Sequence, residues 1–78
     1  LASGLAVEGG QIAVLSIHGA SCLTAEHVMT GVIVGLNAGK SIDGAPTLVE
    51  GWNCLIYDGN QATCTRGHAI LYAQYIRS

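Results

Sequence analysis

Phenylalanine is absent, proline occurs once, and charge is scarce: three Lys plus Arg and five Asp plus Glu in 78 residues. Each shortage excludes something. A charged share of 10% lies far below the roughly 25% of ordinary domains, while half of the residues are apolar, so the chain collapses rather than remaining disordered. A net charge of −2 leaves too little positive charge to neutralise phosphates, so nucleic acid is not an expected partner. No transmembrane segment is expected either. The longest strongly apolar stretch without charge or His, Val28 to Gly39, is well short of the roughly 18 residues that a spanning helix needs. There is no internal repeat and no low-complexity tract. The start has no basic segment followed by an apolar core, and with Leu1 rather than Met in first place the chain reads as a processed product or an excised fragment. With no Phe, Trp52 is the expected core aromatic; a flat binding surface shared with Tyr57, Tyr72 and Tyr75 is the alternative.

What is present fits one small domain over residues 1–78, with 1–10 expected as a flexible N-terminal segment. A chain of this size buries only about 60% of the surface that its unfolded form exposes, so a covalent staple matters. Cys22, Cys54 and Cys64 supply one. Thr47 to Tyr57 is rich in β-branched, aromatic and aliphatic residues. Asp58-Gly59-Asn60 is a turn signal, and Gln61 to Thr65 reads as the returning strand. Centred on Gly59, this hairpin pairs Tyr57 with Gln61, Ile56 with Ala62, Leu55 with Thr63 and Cys54 with Cys64. Directly opposed residues at a non-hydrogen-bonded position lie about 4.5 Å apart, within disulfide range. A Cys54–Cys64 bridge follows, with two reduced thiols packed in a core as the alternative, and Cys22 is left as a free or intermolecular thiol.

Upstream, Gln11 to Ile17 has the length and apolarity of a strand. Ser21 is a helix N-cap candidate, and Cys22, Ala25, Val28, Met29, Val32, Ile33 and Leu36 recur at spacings of three and four, one face of a helix from Cys22 to about Leu36. Glu26 is taken to sit in the first turn, at the positive end of the helix dipole. Gly31, Gly35 and the β-branched run 32–34 oppose a helix, so 31–36 could instead be a buried strand. Asn37 to Pro46 reads as a loop, Thr65-Arg66-Gly67 as a turn, and His68 to Ile76 as the last strand, with a short helix as the alternative. The expected fold is α+β: one helix packed on a small antiparallel sheet of three to four strands, with a disulfide-stapled hairpin.

Motifs suggestive of chemistry do not complete themselves. Gly35 to Ser41 imitates a phosphate-binding loop but is one residue short between its glycines, and Ile42-Asp43-Gly44-Ala45-Pro46 breaks the helix that should follow. Cys22 at a helix start, with His18 and His27 nearby, suggests a thiolate nucleophile. Yet Cys22 and His27 do not share a helix face and no third group orients the base, so a half-buried structural thiol or one bridged to another chain is the better reading. His18, His27 and His68 lack the spacing of a zinc site. No catalytic, cofactor-binding or metal-binding residue is assigned, and the chain is not expected to be an enzyme.

Ser21-Cys22-Leu23-Thr24-Ala25, Gly51-Trp52-Asn53-Cys54 and Cys64-Thr65-Arg66-Gly67 together resemble small exported actinobacterial domains with the approximate pattern T/S-S-C-x-x-A, G-W/Y-x-C, C-x-R/K-G. The resemblance spans Ser21 to about Ile70 and departs from the pattern at Ala20, where a hydroxyl residue is usual. It implies a secreted or cell-envelope location and no established enzymatic activity. Two functions follow as expectations. One is a non-catalytic extracellular or cell-envelope interaction module with a protein partner or as a homodimer, because so little charge must leave apolar surface exposed. The other is a secreted effector, such as a killer-toxin subunit or an enzyme inhibitor. Arg66, Tyr72 and Tyr75 are the candidate interface residues, and an unpaired edge of the last strand is the expected route to a homodimer.

Overall fold

A computed structural model describes residues 5–7, 9–40 and 44–77. Its elements run β1 (Leu5–Val7), β2 (Gly10–His18), α1 (Cys22–Asn37), β3 (Thr47–Val49), β4 (Trp52–Tyr57), β5 (Gln61–Arg66) and β6 (Ala69–Arg77). The strands form one six-stranded sheet in the order β1-β2-β6-β5-β4-β3, every neighbouring pair antiparallel. The helix packs on one face of it. The α+β class stands, but the sheet has six strands where three to four were expected.

Two of the extra strands have identifiable origins. Thr47 to Tyr57 is a hairpin rather than one strand, since Val49 faces Trp52 across the two-residue turn Glu50-Gly51. Both turn residues have positive φ, 52° and 83°, as the type I′ turn requires to match the twist of its strands. At the other end, Leu5–Val7 lies within the segment expected to be flexible, yet pairs with Ile12, Gln11 and Gly10. Residues 1–4 and 8 of that segment, and 41–43 of the expected loop 37–46, lie outside the described residues.

The stapled hairpin has the register anticipated from Gly59. Tyr57, Ile56, Leu55 and Cys54 face Gln61, Ala62, Thr63 and Cys64. Cys54 and Cys64 are disulfide-bonded with Cα atoms 4.0 Å apart, close to the separation of a non-hydrogen-bonded pair. Burial alternates along β4, with Trp52, Cys54 and Ile56 inside and Asn53 and Leu55 outside, so the bridge lies on the core side.

The last segment is a strand, β6, with His68 left in the turn before it, and β6 has no free edge. It pairs with β5 on one side and β2 on the other. A homodimer through the edge of the last strand is therefore ruled out by topology. The edges of the sheet belong to β1 and β3, three residues each, too short to template long sheet extension.

Residues 31–36 are helical. Ala25, Val28, Met29, Val32 and Ile33 are all buried on one side of α1. Burying a Val, Ile or Met side chain contributes about 1.5–3 kcal/mol, which outweighs the roughly 1 kcal/mol that each helical glycine costs. Gly31 is also required by packing, because a Cβ there would stand 2.8 Å from Val49 Cγ1 of β3. Ser21 caps the helix: its Oγ accepts the Thr24 N–H at 3.2 Å. Glu26 falls in the second turn, and the first turn carries no acid, so the expected dipole contribution is not made there. At the other end Lys40 N–H donates to Gly35 O and Gly39 N–H to Leu36 O, with Gly39 at φ 76°. That is a Schellman motif, and its left-handed residue is a glycine because a Cβ is disfavoured there.

Candidate interaction surface

Strand parity divides the sheet residues between two environments. Ile12, Trp52, Cys54, Ile56, Ala62, Cys64, Leu71 and Ala73 face α1 and form the core. Their neighbours point the other way, where no element of the described chain covers them. The register aligns these outward residues into rows, Leu55–Thr63–Tyr72–Ser16 across β4, β5, β6 and β2, and Asn53–Thr65–Ile70–His18 beside it. Leu48 extends the second row onto β3, and Ile76 lies next to Gln11 on the same face. Leu48, Leu55, Ile70 and Ile76 are 76%, 39%, 47% and 46% exposed.

No Asp, Glu, Lys or Arg occupies an outward strand position among the described residues. Glu26 is on the helix, Lys40 follows it, and Glu50 and Asp58 are in turns. The two arginines of the strands have inward parity at strand ends and lie over core aromatics: Arg66 is 5.6 Å from the Trp52 ring centroid and Arg77 is 5.3 Å from that of Tyr75. Four polar side chains on the open face bond to one another in pairs. Tyr72 donates to Gln61 Oε1 at 2.9 Å, and the Tyr57 hydroxyl lies 3.3 Å from Thr63 Oγ1. Gln61 Nε2 in turn donates to Asp58 Oδ2 at 3.3 Å.

The three expected interface residues are not brought together. Tyr72 is half-buried on the open face, Arg66 is exposed at the end of β5, and Tyr75 is 3% exposed on the inner face. Tyr75 thus belongs to the core and offers no surface to a partner. Residues three apart on a strand point to opposite sides, so Tyr72 and Tyr75 cannot share a face. Sequence reasoning missed Leu48, Leu55, Ile70 and Ile76, and named Tyr57 only within the alternative aromatic surface. The alternation of Trp52, Cys54 and Ile56 was the signal for Leu55, which lies between the inward residues and so faces the other side.

The other candidates are scattered. Cys22 is free and exposed at the first residue of α1, not half-buried beneath the sheet. It lies beside Leu15, Ile17 and Ala20, whereas His27 lines a groove with Leu23, Glu26 and Thr30, so the helix separates thiol from imidazole. Gly39-Lys40 stands at the C-terminus of α1, where the free backbone groups are carbonyls, not the N–H donors that a phosphate needs. Among the described residues no group of three or more His, Cys, Asp or Glu converges as metal ligands. His18 and His68 line an open cleft with Arg66, Trp52, Ser21 and Thr24 at one end of the sheet. The cavity between helix and sheet, lined by Ile12, Met29, Ile56 and Ala73 among others, holds only about 10 Å³ of free space, no more than one water needs.

No protein-family model, no curated protein and no solved structure matches the chain. What the molecule does must therefore be argued from its own surface. That surface is an uncharged sheet face, backed by a core that a disulfide crosses.

Proposed function

We propose that this domain is a non-catalytic protein-interaction module, secreted or held in the cell envelope, whose open sheet face meets its partner. The observation that carries this reading is the exposed set Leu48, Leu55, Ile70 and Ile76 on a face without Asp, Glu, Lys or Arg among the described residues. Depletion of charged residues, more than bulk apolarity, distinguishes the centre of a protein interface. The Cys54–Cys64 disulfide supports an oxidising compartment. Among the described residues no helix is long and apolar enough to cross a membrane. The resemblance to small exported actinobacterial domains supports the same location.

Hydroxyl-radical footprinting of the protein in its native secreted or envelope fraction tests the proposal. Leu55, Tyr57, Ile70 and Tyr72 should be protected relative to the dilute purified protein, while exposed Leu23 and Val34 of the helix react alike in both. Equal reactivity of the open face in the two settings removes the reading. The exposed Cys22 favours one further reading, a secreted effector joined to another chain through that thiol. The mass of the native protein without reductant distinguishes it.

A further inference from the structure

We propose that the cleft where α1 begins binds a small ligand through an oxyanion, a carboxylate or a phosphate, with Arg66, the Trp52 indole N–H and the Thr24 hydroxyl as donors. The site is separate from the outer sheet face, and neither reading depends on the other.

The cleft has room for a ligand. It holds about 540 Å³ of free space, within the roughly 300–1,000 Å³ of small-molecule sites. Arg66, Trp52, Ser21, Thr24, His18 and His68 border it, and among the described residues no Asp or Glu does.

Its donors are unspent. Trp52 is 3% exposed, yet among the described residues its indole N–H has no hydrogen-bond partner. No fully buried side-chain nitrogen or oxygen among those residues lacks one, so the small exposed part of Trp52 includes this N–H. That part opens onto the cleft and the groove beside it, which Trp52, Arg66 and Thr24 share. An indole nitrogen only donates, so the group needs an acceptor. The Arg66 guanidinium carbon lies 5.6 Å from the Trp52 ring centroid, and no hydrogen bond or ion pair within the described chain engages its N–H groups. Those groups form a planar fork that matches two oxygens of a carboxylate or phosphate. Ser21 Oγ donates to Thr24 Oγ1 at 3.0 Å, which leaves the Thr24 hydroxyl its own proton to give.

Three donors without an acceptor among them select a ligand rich in lone pairs, and the arginine selects a negative one. The start of α1 reinforces the choice, because its dipole is positive there and no acid in the first turn offsets it. Glu50 borders the adjoining groove with Arg66 but makes no ion pair with it.

Titration of isotope-labelled protein with sodium acetate and, separately, with inorganic phosphate at constant ionic strength tests the proposal. The chain has a single Trp, so its indole N–H gives one isolated resonance in nitrogen–proton correlation spectra. That resonance should shift saturably with at least one of the two anions and not with acetamide, the uncharged counterpart of acetate. Saturation by acetate alone assigns a carboxylate ligand, by phosphate alone a phosphate ester, and by both a site that accepts either oxyanion. Arg66→Gln should weaken binding about tenfold or more, the scale of losing a charge-assisted hydrogen bond. Arg66→Lys, which keeps the charge without the fork, should recover part of that loss. Arg77→Gln, at the far end of β6, should change nothing. No saturable shift with either anion, an equal response to acetamide, or binding that Arg66→Gln leaves intact overturns the proposal.

Discussion

The inner face of the sheet presents Ile12, Ile56, Leu71 and Trp52 to α1 and buries them, whereas the outer face presents Leu48, Leu55, Ile70 and Ile76 to water. The inner face is apolar throughout, whereas the outer one sets these four aliphatic residues among Asn53, Thr63, Thr65 and Gln74. They differ in what the chain spends on them: the single helix, the disulfide and the main aromatic, Trp52, all serve the inner one. The outer face receives tyrosines, threonines and glutamines, of which Tyr57 and Thr63, and Tyr72 and Gln61, bond to each other. A half-buried antiparallel sheet normally alternates apolar inside with charged or strongly polar outside. Here the alternation persists along β4 in burial, but the outward strand positions pair uncharged polar residues with a few aliphatic ones and, among the described residues, carry no Asp, Glu, Lys or Arg.

The sharpest way to break this comparison is to place a charge in the inner layer. Val32→Asp should abolish the cooperative melting transition, because an unpaired buried carboxylate costs several kcal/mol against a total stability of roughly 5 kcal/mol. A melting temperature equal to that of the parent protein would mean that α1 does not seal this face. The staple is worth less. Replacing both Cys54 and Cys64 with Ala should remove about 2–3 kcal/mol, the chain entropy of closing a loop of about ten residues, read as a lower denaturation midpoint in guanidinium. An unchanged midpoint would show that sheet pairing alone holds the hairpin. The smallest effect belongs to the outer face. In dilute protein, where no partner is bound, Leu55→Lys or Ile70→Lys should shift stability by no more than about 0.5 kcal/mol, as surface substitutions do. A loss comparable with that of Val32→Asp would reveal that the same chain covers this face after all.

Some of this was legible because it is local. The Cys54–Cys64 pairing follows from equal distances to Gly59 on either side of a short turn. The Ala25–Ile33 stripe follows from helical spacing, and the Ser21 cap from its place before that stripe. The Glu50-Gly51 turn was local too, but Thr47 to Tyr57 is apolar enough on both sides of it to read as one strand. The opposite facing of Tyr72 and Tyr75 was implicit in their odd separation once 68–76 is a strand.

The sequence by itself determined the chemistry of the domain: little charge, one aromatic suited to the core, one stapled hairpin and one amphipathic helix. Each is set by composition or by residues within about ten positions of one another. Tertiary structure alone decided the strand order. Placing β6 between β5 and β2 joins residues separated by most of the chain, such as His18 and Ile70, and nothing in a local window distinguishes that partner from another. A register shift between Ile12 and Val14 likewise lets Ile12 and Leu15, three apart, both turn inward. Strand order then closed the last strand's edges and aligned Leu55 with Tyr72 across β5. The open face is a product of those long-range pairings, because backbone hydrogen bonds hold strands together without specifying which strands they are.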